Sequence, residues 1–244
     1  TKKEEIKIWG KADGVAFLTS TDFKTAKSQY CAKSFFVAPE GTPISTRNLS
    51  RNKKTNKNLL ILLNKKATQS VLNVAYFLET VWSDAISSLN FPETSITITG
   101  VTLDELADTC SLSTNKLTDL RVSCVGFVDS LDELFDSSLA LISPTYVGGG
   151  IRKKILESMA NHLPVIASPL DVHSTDYFQH GFNILEFDCV EDLRDAILYL
   201  SNSEQSDQIS KSARSTVEIH ASWNKFAVVI NDYLSSIEYR KLKK

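Results

Sequence analysis

"LALISPTYVGGGIRKKILESMANHLPVIAS", residues 139–168, sets two short apolar runs, 139–143 and 164–168, on either side of a glycine turn and a stretch with helical spacing. The runs read as buried strands and 151–161 as the helix between them. Consecutive strands joined through a helix lie parallel, because a parallel pair needs a crossover of this length. Working toward the amino end, "NLLILL" (58–63), "SITIT" (95–99) and "VSCVGF" (122–127) read as further strands. Helical patterns separate them at 70–89, about 103–109 and 131–137. This order predicts an α/β fold, a Rossmann-like doubly wound parallel sheet covered by helices on both faces.

On that pattern the glycines at 148–150 sit at the carboxyl edge of the sheet, where open α/β folds bind ligands. A helix start there offers unpaired N–H groups and a partial positive charge, so a phosphate or diphosphate is the expected guest. Arg152 and Lys154, placed in the first turn, add charge-assisted hydrogen bonds. At 100° per residue, Ile151, Ile155, Leu156, Met159 and Ala160 form an apolar arc that also takes in Arg152. Lys153, Lys154 and Glu157 gather opposite it. Arg152 is expected to reach past the helix end, and Glu157, one turn on, to accept hydrogen bonds from sugar hydroxyls. The alternative is a surface helix with Lys153–Glu157 and Lys154–Glu157 pairs behind a flexible glycine connector. The run is neither GxGxxG nor a P-loop, which disfavours a dinucleotide enzyme or an NTPase.

Composition narrows the class further. The chain has 244 residues, 42% of them hydrophobic, with 27 Lys and Arg against 29 Asp and Glu. A net charge of −2 gives no basic field for nucleic acid. Cys31, Cys110, Cys124 and Cys189 are dispersed, without a metal-site or disulfide pattern. No apolar run approaches the roughly 20 residues that span a bilayer, so a cytoplasmic location is expected. Between Gly41 and Leu78 there is no acidic residue, while Arg47, Arg51, Lys53, Lys54, Lys57, Lys65 and Lys66 are basic. This is a solvated linker or an anion- or lipid-facing patch at the inner face of a membrane.

Residues 1–57 read as two strands ("ADGVAFLTS" and "FFVAPEGTPIS") around a helix at 22–30, too few elements for an independent domain. Three helical patterns beginning at 190, 204 and 223 are expected to pack over one side of the sheet. The basic tail, 236–244, ends the last of them. Trp9, Trp82 and Trp223 read as buried apolar area, and His162, His173 and Asp171 as weaker site candidates.

The stretch "VGFVDSLDELFDSSLALISPTYVGGGIRKKILESMANHLPVIAS", with "GFNILEFDCVEDLRDAILYL" after it, closely resembles the C-terminal, donor-binding domain of GT-B glycosyltransferases of the retaining, group 1, family 4-like type. The resemblance covers about residues 58–235 and is most specific at Gly148, Gly149, Gly150, Arg152, Lys154 and Glu157. It implies that the 148–150 loop holds the diphosphate and sugar of a nucleotide-sugar donor. Arg152 and Lys154 would act on the leaving group, Glu157 would bind the ribose, and Gly126, Phe127 and Val128 would border the base. Asn64 and Lys65 fall where the family often places phosphate contacts. No cofactor or metal beyond the donor is implied.

Two positions depart from the pattern. Gly149 stands where many members carry a Glu, and no glycine follows the first strand of the domain. Residues 11–43 resemble the end of the N-terminal domain, which is otherwise outside this sequence. The acceptor half is therefore expected on another segment or a partner subunit. Against a glycosyltransferase stand a non-catalytic nucleotide-sugar-binding or regulatory subunit and, further off, a GT-B-fold nucleotide-sugar epimerase.

Overall fold

The computed structural model describes residues 2–30, 35–46, 57–88, 91–148, 150 and 152–242. Cys31, Arg47, Arg51, Lys53, Lys54, Gly149 and Ile151 lie outside these. The chain opens with α1 (Lys2–Trp9), β1 (Val15–Phe17), α2 (Ser20–Gln29) and β2 (Phe35–Val37). Then follow β3 (Asn58–Leu62), α3 (Thr68–Phe77), a π-helical turn (Leu78–Trp82), α4 (Ser83–Ser87) and β4 (Ser95–Thr99). Next come α5 (Leu103–Ala107), α6 (Thr114–Asp119), β5 (Val122–Gly126), α7 (Asp132–Ser137) and β6 (Ala140–Ser143). The last part comprises α8 (Lys153–Ala160), β7 (Val165–Ala167), α9 (Pro169–Val172), β8 (Leu185–Glu186), α10 (Val190–Ser201), α11 (Ser203–His220) and α12 (Trp223–Leu242).

The main sheet is six-stranded and parallel throughout, in the order β5-β4-β3-β6-β7-β8. Counted by appearance within this sheet, the strands run third, second, first, fourth, fifth, sixth. That is the doubly wound order, with its switch point between β3 and β6. The strands are apolar on both faces because both are covered. Leu59, Ile61, Ile96, Ile98 and Ile142 pack on α3, α5, α6 and α10. Leu60, Leu141 and Val165 pack on Ile155, Leu156 and Met159 of α8 and on Ala213 and Val217 of α11.

Two expectations change here. The C-terminal helices do not share one side: α10 covers the face that carries α3, and α11 packs against α8 on the other. The edge strand β8, only two residues long, turns the chain between them and escapes a pattern search that needs four or more alternating positions. The helix after the glycines also begins at Lys153 instead of 151, because Arg152 has an extended backbone (φ −87, ψ 107).

β1 and β2 form a separate two-stranded parallel sheet. α12 reaches it: Tyr233 stacks on Phe36 at 3.9 Å and its hydroxyl donates to the Asp13 carbonyl at 3.0 Å. The Trp223 ring lies so close over Gly41 that a Cβ there would fall 2.3 Å from it. Trp223 is nonetheless 54% exposed, and Trp9 joins an edge-on aromatic cluster with Phe17 and Phe35. Trp82 is fully buried, and its indole Nε1 donates to the Leu120 carbonyl at 2.8 Å.

Trp82→Phe keeps most of the apolar area but leaves the Leu120 carbonyl unpaired. Urea denaturation should show a loss of about 1–3 kcal/mol. Unchanged stability would mean that this buried bond contributes nothing.

Candidate functional site

A cleft of about 500 Å³ opens where the carboxyl ends of β3, β4 and β6 meet the start of α8. Its size suits a small organic ligand. The connections from β3 and β6 leave toward opposite faces of the sheet, so the strand ends part and leave a crevice. Leu63, Asn64, Thr99, Gly100, Pro144 and Thr145 form its floor, with Arg152, Lys153, Lys154 and Glu157 along one wall. Gly100 permits the close approach of β3 and β4: its φ is +84, and a Cβ would stand 1.9 Å from the Leu63 carbonyl oxygen.

Arg152 is the cap residue of α8, not a member of its first turn. Its Nε donates to the Asp171 carboxylate at 3.1 Å, and Asp171 is 1% exposed. The other Asp171 oxygen accepts from the Ser143 hydroxyl at 2.5 Å. Arg152 is thus held at the end of β6 instead of extending freely. Gly148 lies over its guanidinium: φ is +134, and a Cβ would come within 2.6 Å of the guanidinium nitrogen Nη2. Beside this, Ser168 Oγ donates to the Thr145 carbonyl at 2.6 Å and accepts from the Thr145 N–H at 3.0 Å, fixing the floor.

The two lysines behave differently. Lys153 is exposed and pairs at 2.6 Å with Glu40, not with Glu157 as helix spacing suggested. Lys154 makes no ion pair among the described residues, and burial pushes its ammonium down to about 8; Asp171 opposes that shift and Arg152 adds to it. Burial raises the Glu157 carboxyl above its usual range. A cation with no ion-pair partner among the described residues, next to a helix start, is chemically suited to balance an anion.

The remaining expected residues divide. Asn64, Phe127 and Val128 line the cleft, and Phe127 is 86% exposed at its lip. Gly126 (φ +66) shapes the turn before them, its N–H donating to the Val101 carbonyl and its carbonyl accepting from Gly100. Gly148 and Gly150 border the start of α8 with positive φ, while Gly149 lies outside the described residues. Lys65 is drawn away to Glu105, 2.8 Å distant, where it supports the capping box of α5. His162 follows α8 at the opposite edge of the sheet, and the exposed His173 lies 3.4 Å from Glu186. Asp171 binds Arg152 and is too buried to meet a sugar.

Sequence reasoning missed Ser70, Asn73, Thr99, Gly100 and Thr145 as cleft residues. A lone amide inside the apolar run "SVLNVAYF" and a glycine closing "SITIT" were the available signals for Asn73 and Gly100. Among the described residues there is no group of His, Cys, Asp or Glu suited to a metal ion, and no helix long and apolar enough to cross a membrane.

A doubly wound parallel sheet with a cleft at its switch point defines a Rossmann-like α/β domain. Residues 60–203 match the family model of glycosyl transferases group 1, and the chain belongs to that family. No curated protein sequence matches it. Among solved structures it is similar to TarM of S. aureus, with a TM-score of 0.75 at 16% identity over 97% of this chain and 45% of that one. It is also similar to a glycosyltransferase from Rickettsia africae, with a TM-score of 0.74 at 15% identity over 97% of this chain and 66% of that one. HepE from Anabaena, in complex with UDP and glucose, gives 0.72 at 16% identity over 96% and 66%. The chain therefore spans about half to two thirds of the length of these relatives, and its fold is the GT-B, Rossmann-like one.

Lys154 supplies a stability test. Its pKa is lowered in the folded state, so between about pH 8 and its ordinary value the unfolded chain holds a proton that the folded chain lacks. Stability from this group therefore rises with pH across that window, and below it the folded protein carries the full cost of the buried charge. Lys154→Met should raise the melting temperature at pH 7 by about 2–4 °C, equivalent to about 1 kcal/mol, with the gain shrinking at higher pH. A lower melting temperature at pH 7 would contradict the assigned burial cost.

Proposed function

We propose that this chain provides the donor-binding half of a glycosyltransferase that moves a sugar from a nucleoside-diphosphate sugar to an acceptor with retention of configuration. The observation that carries this reading is the convergence of Arg152, Lys153, Lys154 and the start of α8 on one cleft at the switch point. The diphosphate lies against the glycine loop and the helix start. Arg152, oriented by Asp171, and Lys154 neutralise the negative charge that grows on the departing diphosphate, which lowers the barrier to leaving-group departure. These cations need no metal ion to perform that role. Glu157 accepts hydrogen bonds from the ribose, and the exposed ring of Phe127 flanks the base.

Crystals of HepE with UDP and glucose, and with UDP-glucose, support uracil as the first base to try. Acceptor recognition falls to a further domain or a partner subunit.

Calorimetric titration with UDP, GDP, ADP and their sugar conjugates tests the reading. One nucleotide should bind in the micromolar range, about −8 kcal/mol. Arg152→Ala should weaken it by about 2 kcal/mol, and Glu157→Ala by about 1 kcal/mol for ribose but not 2′-deoxyribose diphosphates. Affinity should fall as pH rises through about 8, where Lys154 loses its proton. Equal affinity in wild type and both variants would sink the site.

A further inference from the structure

Asn73 is an amide where helix α3 should be apolar. Its neighbours Val71, Val74 and Ala75 are buried in the core, and Asn73 itself is 7% exposed. A buried carboxamide must fill its hydrogen-bonding sites or cost stability. Asn73 fills three of its four on one target. Its Nδ2 donates to the Val147 carbonyl at 2.9 Å. Its Oδ1 accepts from the N–H of Tyr146 at 3.2 Å and of Val147 at 3.1 Å. One turn along the same helix, the ring of Tyr76 meets that of Tyr146 edge-on at 4.7 Å.

The segment between β6 and the glycines is therefore anchored from α3 at residues 146 and 147. The next residue, Gly148, rests on the guanidinium of Arg152, which Asp171 holds. The glycine loop thus hangs between two fixed points, one on each side of the cleft. Asn73 belongs to the strand-to-helix unit that follows β3, and the loop to the unit that follows β6, so this side chain ties the two walls together.

We propose that Asn73 is a positioning residue for the diphosphate site: it fixes the path of residues 146–147 so that the N–H groups of Gly148 and of the first turn of α8, from Lys153, face one anion. The proposal rests on the donor-site reading. Asn73 lines the cleft and acts on the anion through the backbone of residues 146–147, which all three of its hydrogen bonds reach. Ordering a loop costs on the order of 1 kcal/mol per residue. With Asn73 present that cost is met on folding; without it the cost falls on ligand binding. The penalty belongs to the phosphate end of the ligand alone, since base and ribose are held by other elements.

The test uses the full chain as wild type, Asn73→Ala and Asn73→Asp, titrated calorimetrically with UDP, uridine and inorganic pyrophosphate. Amide hydrogen exchange is followed in parallel. Asn73→Ala should lose about tenfold in affinity for UDP and for pyrophosphate, keep its affinity for uridine, and exchange the Tyr146 and Val147 amides faster. Asn73→Asp retains the acceptor for both N–H groups, so it should fold and keep those amides protected even if the alanine variant does not. Having lost the donor to Val147, it should still bind UDP more weakly than wild type and uridine equally. A lower melting temperature with unchanged UDP and pyrophosphate affinities, or an equal loss for uridine, would make Asn73 merely structural and overturn the proposal. If wild type binds neither UDP nor pyrophosphate, the donor site itself falls, a result separate from any difference between variants.

Discussion

A buried carboxylate organises this cleft. Asp171 sits in α9 with almost no solvent contact, and an unpaired charge there would be expensive. It is satisfied from two directions, by the Arg152 guanidinium and by the Ser143 hydroxyl. Three consequences follow from that pair. Arg152 is pulled out of the helix it precedes, so α8 starts at Lys153 and directs its free N–H groups at the cleft. The guanidinium becomes the support on which Gly148 lies, which is why a residue with positive φ and no side chain stands there. The ends of β6 and β7 are also tied together, because Ser143 closes one and Asp171 lies just beyond the other.

The charges around this pair are graded. Arg152 is held through Nε by Asp171 and Lys153 pairs with Glu40, whereas Lys154 has no ion pair among the described residues. A cation held in such surroundings destabilises the empty protein and favours whatever anion restores its charge balance. The Glu40 carboxylate approaches α8 from the segment after β2, so the small sheet and the wall of the cleft meet through a charged contact as well as through α12.

Much of the architecture was legible because a parallel sheet buried on both faces writes itself as continuous apolar runs. β3, β4, β5, β6 and β7 all fall within the stretches read as strands, and the glycines fall where a strand end meets a helix start. What escaped was short or long-range. β8 has two residues and α9 four, below the length at which periodicity speaks. Whether α10 and α11 share a face depends on the turn of the chain after β8, which local pattern does not encode. The partners of Arg152, Lys153 and Asn73 are Asp171, Glu40 and the loop at 146–147, all set by tertiary packing. Helical spacing offered Glu157 to Lys153, and the fold supplied Glu40 instead. Cations near a glycine loop can be read from sequence; which of them is already neutralised cannot.

On the proposed reading, the diphosphate of a nucleotide lies between the glycine loop and the first turn of α8. Amide-resolved NMR of the isotopically labelled chain during titration with UDP tests it most directly. The largest shift changes are expected at Gly148, Gly150, Lys153 and Lys154, with smaller ones at Phe127 and Val128. Shifts concentrated elsewhere, such as along the α11 groove around Tyr177 and His220, with the glycine loop unmoved, would contradict it.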